Sequence, residues 1–137
     1  MKILMVPTLN APCIWYRMEQ HTKYLRQFGH EVAFSYRGPK TQDSLWEYIV
    51  PGQVAEVFDQ LMSVCDVAVF QIAHTQWSIA LIAALKDRHK KPMLVDVDDD
   101  IYTLAPGTPS SVKPGSTIEL WMDEHLRMAD AIICTTP

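Results

Sequence analysis

The sequence predicts an α/β domain built on a parallel five-stranded sheet. Short apolar runs alternate with amphipathic stretches along the chain, the pattern of strands joined by helical crossovers. The runs Ile3-Leu4-Met5-Val6 and Met93-Leu94-Val95 are apolar throughout, as strands covered on both faces must be. The second run stops abruptly in acid, Asp96-Val97-Asp98-Asp99-Asp100, which marks where a strand leaves the core. The 137 residues are 48% hydrophobic and 20% charged, enough for one globular domain over residues 1–137 with a core of its own.

The first strand is placed at about Lys2–Val6, followed by a loop over 7–14. Trp15, Met18, Leu25 and Phe28 keep helical spacing, so 15–28 reads as a helix that Gly29 stops. Residues 30–36 alternate in polarity and form the second strand. The stretch 37–52 is irregular, although Leu45, Trp46, Tyr48 and Ile49 give it surface to pack. Val54, Val57, Phe58, Leu61, Met62 and Cys65 mark one face of the second helix. The third strand covers 66–70, and the third helix covers Gln76–His89, with a basic end that complements its dipole. Pro92 starts the fourth strand. Residues 103–115 are the clearest loop, rich in Pro, Gly and Ser. Ser116 with Glu119 fits a capping box, opening a helix that carries Ile118, Trp121, Met122, Leu126 and Ala129. Ala131–Cys134 is the fifth strand.

Right-handed crossovers then give a Rossmann-like, three-layer domain with expected strand order 3-2-1-4-5. The switch point falls between strands one and four, and in such sheets ligands bind outside the carboxyl ends of the strands at that point.

The net charge of -4 argues against a general nucleic-acid or anionic-membrane binder. The first apolar run is too short for a secretory signal or a membrane span. Cys13, Cys65 and Cys134 follow no metal-ligand spacing. Cys65 and Cys134 sit in apolar contexts and read as reduced core residues, which suits a cytoplasmic protein.

Three strand ends bring polar groups to one edge. Strand one leads to Asn10, Tyr16 and Arg17; strand three to Gln71 and His74; strand four to Asp98, Asp99 and Asp100. Arg17 in the first helical turn can fork onto a carboxylate or phosphate, or pair with an aspartate of the fourth strand. The first loop contains no glycine, which counts against a dinucleotide fingerprint. An aspartate at the fourth strand's end can act as a general base on a hydroxyl, accept hydrogen bonds from a sugar, or cap a short helix. His74 can be a base, a ligand contact or a structural residue. Asp96, earlier in the strand, reads as buried and hydrogen-bonded. His21, His30, His89 and His125 lie on or beside helices and read as surface or packing residues.

The opening Met1-Lys2-Ile3-Leu4-Met5-Val6-Pro7, then Tyr16-Arg17, then Leu25-Arg26-Gln27-Phe28-Gly29-His30-Glu31-Val32, resembles the N-terminal domain of GT-B glycosyltransferases. Val69-Phe70-Gln71, the acidic strand end 95–100 and Ala129-Asp130-Ala131-Ile132-Ile133-Cys134-Thr135-Thr136-Pro137 continue the likeness in order. The resemblance implies an acceptor-side half of a nucleotide-sugar-dependent hexosyltransferase, inactive alone. A second, C-terminal domain would hold the nucleotide-sugar donor, and the sequence ends where that domain is expected to begin. This domain itself would bind no cofactor and need no divalent metal; its partner would be a sugar or glycosylated acceptor. Asp98, Asp99 and His74 would be the catalytic candidates, with Asn10, Tyr16, Arg17, Gln71 and Asp100 binding the acceptor.

Two other readings stand beside it. Asp96-Val97-Asp98-Asp99-Asp100-Ile101 resembles the strand-end motif of haloacid-dehalogenase phosphatases, with Asp96 as nucleophile and Asp98 as acid/base. A flavodoxin-like binding or assembly module is the non-enzymatic alternative. It predicts no exposed apolar surface near the C-terminus, whereas the half-enzyme predicts such a patch.

Overall fold

A computed structural model describes residues 1–7, 14–34, 51–97 and 112–134. In chain order these form β1 (Lys2–Val6), a π-helix (Ile14–Glu19) running into α1 (Gln20–Gln27), β2 (Glu31–Phe34), α2 (Pro51–Val64), β3 (Val67–Gln71), α3 (Gln76–His89), β4 (Met93–Val97), α4 (Thr117–Met128) and β5 (Ala131–Cys134). The strands make one five-stranded, all-parallel sheet of Rossmann-like character.

The strand order is 2-1-3-4-5, which corrects the expected 3-2-1-4-5. The reason lies in the two candidate edge strands. β2 alternates, with Glu31 and Ala33 exposed around buried Val32, and tolerates solvent on one side. In β3, by contrast, Ala68, Val69, Phe70 and Gln71 are all buried, so it needs a strand on each side. The chain therefore crosses back over β1 after β2 and lays β3 between β1 and β4. The direction of winding reverses between β1 and β3, so the switch point lies there and not between β1 and β4.

Paired residues in a parallel ladder share a face. Val6, Phe70, Val95 and Ile132 form one row, and Leu4, Ala68 and Met93 the row behind it. Phe58 and Met62 of α2, Ile79, Ile82 and Leu85 of α3, and Trp121 and Met128 of α4 pack in one cluster with Leu4, Val6, Ala68, Phe70 and Met93, while Val95 packs with Ile72 and Met122. On the other face Ile3, Met5, Val32 and Val69 meet Met18 and Leu25. Among the described residues, three helices thus cover one face and the π-helix–α1 segment the other.

Local signals end the elements. The expected helix over 15–28 is divided into π- and α-helical parts, and Gly29 at φ 81 turns the chain into β2, its N–H donating to the Arg26 carbonyl at 3.0 Å. Thr75 caps α3 through the Ser78 N–H at 3.3 Å. The forward half of the predicted capping box is formed, Ser116 Oγ accepting the Glu119 N–H; the return bond from Glu119 goes to the Gly115 N–H, one residue before the cap, while the Ser116 N–H donates to the Lys113 carbonyl. At the amino edge of the sheet, Asp130 accepts the Met93 N–H at 2.8 Å and the Lys86 ammonium at 2.9 Å. The Lys86 contact, then the Met93 amide, holds its carboxyl below the usual carboxylate range.

β5 is exposed along its length, including Ile132 and Ile133. Cys65 is buried as expected, but Cys134 is exposed, because β5 is an edge strand that no described element covers. No helix among the described residues is long and apolar enough to cross a membrane.

Lys90 closes α3 in the left-handed region, φ 52, where a Cβ is unfavourable. Lys90→Gly is expected to stabilise the fold by about 0.5–1 kcal/mol, read as a higher urea midpoint. The lost ion pair with Asp87 is exposed on both sides and contributes little.

Candidate functional site at the carboxyl edge of the sheet

β3 lies between β1 and β4, so the elements that follow three neighbouring strands share one edge. From the β1 side comes Arg17, carried by the π-helix; π turns recur at functional positions. Arg17 is buried and aimed across the sheet at β4. Its Nε donates to Asp96 Oδ2 at 2.8 Å and its Nη2 to Asp96 Oδ1, a bidentate fork; Nη2 also lies 3.4 Å from the Val97 carbonyl. The Arg17 carbonyl in turn accepts a hydrogen bond from His21 Nδ1.

Gln71, Asp96 and Ile133 occupy one row on this same face. Gln71 is 1% exposed and Asp96 2%, so both are structural floor at this depth. With both carboxylate oxygens engaged by Arg17, Asp96 is not placed to attack phosphorus, which weighs against the haloacid-dehalogenase reading. The ion pair forms one wall of a groove of about 270 Å³, completed by Met5, Tyr24, Phe28 and Ile133.

After β3 the chain runs through Ile72, Ala73 and His74 to the α3 cap. The Ile72 N–H donates to the Asp96 carbonyl at 3.0 Å. His74 is half-buried in the β3–α3 connection, one residue before the α3 cap and beside the corrected switch point. Asn10, Asp98, Asp99 and Asp100, and the side chain of Tyr16, lie outside the described residues. Of the residues singled out from sequence, Arg17, Gln71 and His74 are therefore the ones whose surroundings the structure describes. Among the described residues, no group of three or more His, Cys, Asp or Glu could hold a metal ion.

From sequence His125 reads as a surface or packing residue; the structure buries it, and its environment adds a connection to this edge. It is fully enclosed, and its Nδ1 accepts the Ala73 N–H at 2.9 Å. The Phe70 ring meets it edge-on at 6.1 Å and 79°. Burial pushes its pKa down from 6.5 to about 4, so the imidazole is neutral at pH 7. The available signal was its position three residues after Met122, on the apolar stripe of α4.

No protein-family model matches the chain, and no curated protein matches it. Among solved structures, the chain is similar to the CMP N-glycosidase BcmB of Clostridium botulinum, with a TM-score of 0.52 and 10% identity, over 100% of this chain and 90% of that one. At that identity the likeness is one of fold.

Arg17→Met leaves Asp96 buried without its counter-charge and is expected to cost about 3–5 kcal/mol. Adding Asp96→Leu is expected to restore much of that loss; simple additivity in urea denaturation would show that the pair is uncoupled. The His125 titration has a definite sign. The unfolded chain takes up this proton below about pH 6.5, whereas the folded chain takes it up only near 4. Stability contributed by the neutral ring is present above 6.5 and lost as pH falls toward 4, by about 3 kcal/mol in all. His125→Asn is expected to flatten unfolding free energy across that window by this amount.

Proposed function

We propose that the carboxyl edge spanned by β1, β3 and β4 binds a sugar, and that the chain is the acceptor-side half of a cytoplasmic nucleotide-sugar-dependent glycosyltransferase. The observation that carries this reading is the position of β3. It brings the His74 connection between the element bearing Arg17 and the end of β4, at a switch point where open α/β sheets bind ligands. The sequence resemblance supplies the reaction class.

In this reading Arg17 acts by holding Asp96 and the Val97 carbonyl at the last positions before Asp98. Asn10, Tyr16 and Asp100 supply hydrogen bonds to the acceptor, above the buried Gln71. Asp98, Asp99 or His74 accepts the proton of an acceptor hydroxyl as its oxygen attacks the anomeric carbon and the nucleoside diphosphate departs. In this reading the nucleotide-sugar donor is held by a second domain facing this edge. The exposed Ile132 and Ile133 favour a domain with further apolar surface to cover. A flavodoxin-like binding module is the second reading, and the order 2-1-3-4-5 is the observation in its favour.

Amide-detected titrations separate the possibilities. Free hexoses and disaccharides, UDP-glucose, CMP and FMN are added separately to the chain. The proposal expects sugars to shift Ile72, Ala73, His74 and Thr75. It also expects His74→Ala to weaken that binding about tenfold, the equivalent of one hydrogen bond. Shifts with FMN alone would favour the flavodoxin-like module. Shifts with CMP alone would point to the chemistry named for the fold neighbour. Shifts confined to Lys90, Lys91 and their neighbours at the opposite edge would end the proposal.

A further inference from the structure

His125 is costly where it stands. Met122, Leu126 and Ala129 of α4 pack with Ile72 and Val95, and a leucine on that helix would bury comparable apolar surface with no polar atom to satisfy. The imidazole instead leaves Nε2 enclosed with no hydrogen-bond partner among the described residues, which costs the desolvation of that group. What offsets it is the bond at the other nitrogen. Because Nδ1 accepts from the Ala73 N–H, the ring's proton sits on Nε2, and the tautomer is fixed by the backbone it holds.

Ala73 lies in neither strand nor helix, and it is fully buried, so its N–H has no solvent to turn to. On one side of it Ile72 is tied to β4 through the Asp96 carbonyl, and on the other Thr75 is tied to α3 as its cap. His125 supplies the fixing point between them, immediately before His74. The ring that does so is itself oriented by Phe70 of β3, edge-on at 79°.

We propose that His125 is a positioning residue for the carboxyl-edge site: by holding the Ala73 amide it sets where His74 stands. A contact runs from Phe70 of β3 to His125 of α4 and back to the connection that leaves β3, so the placement of His74 depends on a helix 52 residues away from Ala73. The inference rests on the reading of that edge as the ligand site. A purely structural role for His125 would change stability and leave the surroundings of His74 as they are.

The test uses the whole chain with His125→Leu, which removes the acceptor, and His125→Asn, whose Oδ1 stands close to where Nδ1 stood. In the unsubstituted protein, a nitrogen–nitrogen scalar coupling is expected between the Ala73 amide and His125 Nδ1. In His125→Leu, Ala73 amide exchange is expected to rise at least tenfold beyond any change at Val69, and the His74 ring resonances are expected to move. His125→Asn is expected to restore both. Absence of the coupling overturns the inference, as does a folded His125→Leu chain with unchanged His74 resonances and Ala73 exchange. Should His125→Leu not fold, a folded His125→Asn chain with Ala73 protected supports the inference, and one with Ala73 unprotected overturns it. If His74 responds to position 125 but to no sugar or nucleotide, the positioning role stands and the sugar-site reading falls.

Discussion

Two charges leave water where Arg17 meets Asp96, and the pair ties the segment after β1 to the end of β4. Each is nearly inaccessible, and an isolated charge at that depth would be prohibitive. The fork satisfies both oxygens of the carboxylate and ties the first helical segment to the penultimate residue of β4. Apolar residues could fill this volume at least as favourably. What the pair adds is direction: two parallel N–H···O bonds fix the relative position of the helix and the strand end. Both elements border the edge where the site is proposed.

The same logic recurs on the other side of the sheet. His125 occupies a position that an apolar side chain could fill, and among the described residues its Nε2 has no hydrogen-bond partner. In both places a buried polar group fixes backbone at the carboxyl ends of β3 and β4. The rest of the core is ordinary packing of Leu, Ile, Val, Met and Phe. Polar groups inside the domain are concentrated where strands hand over to loops.

The layers are unequal among the described residues. Three helices cover one face, and one helical segment covers the other, beside a groove edged by Tyr24, Phe28 and Ile133. A parallel sheet is most stable with both faces covered, and β5 meets that condition least well. Its exposed isoleucines distinguish this edge from β2, where Glu31 faces solvent.

The alternation of strands and helices, the bounds of α3, the Ser116–Glu119 cap and the glycine turn before β2 were legible in the sequence. Each is set by residues a few positions apart, through periodicity or a single local hydrogen bond. The burial of Asp96 was legible for the same reason. The strand order was not, because several right-handed windings suit the same alternation. The choice depended on which strand could bear solvent at its edge, and β2 could while β3 could not. The partner of Arg17 lies 79 residues away and the partner of Ala73 lies 52 away. Such pairs form only after the buried surfaces have chosen their neighbours. The sequence alone therefore determined what the pieces are and which groups stand at their ends; the tertiary structure decided which ends meet, because that choice is made by long-range burial.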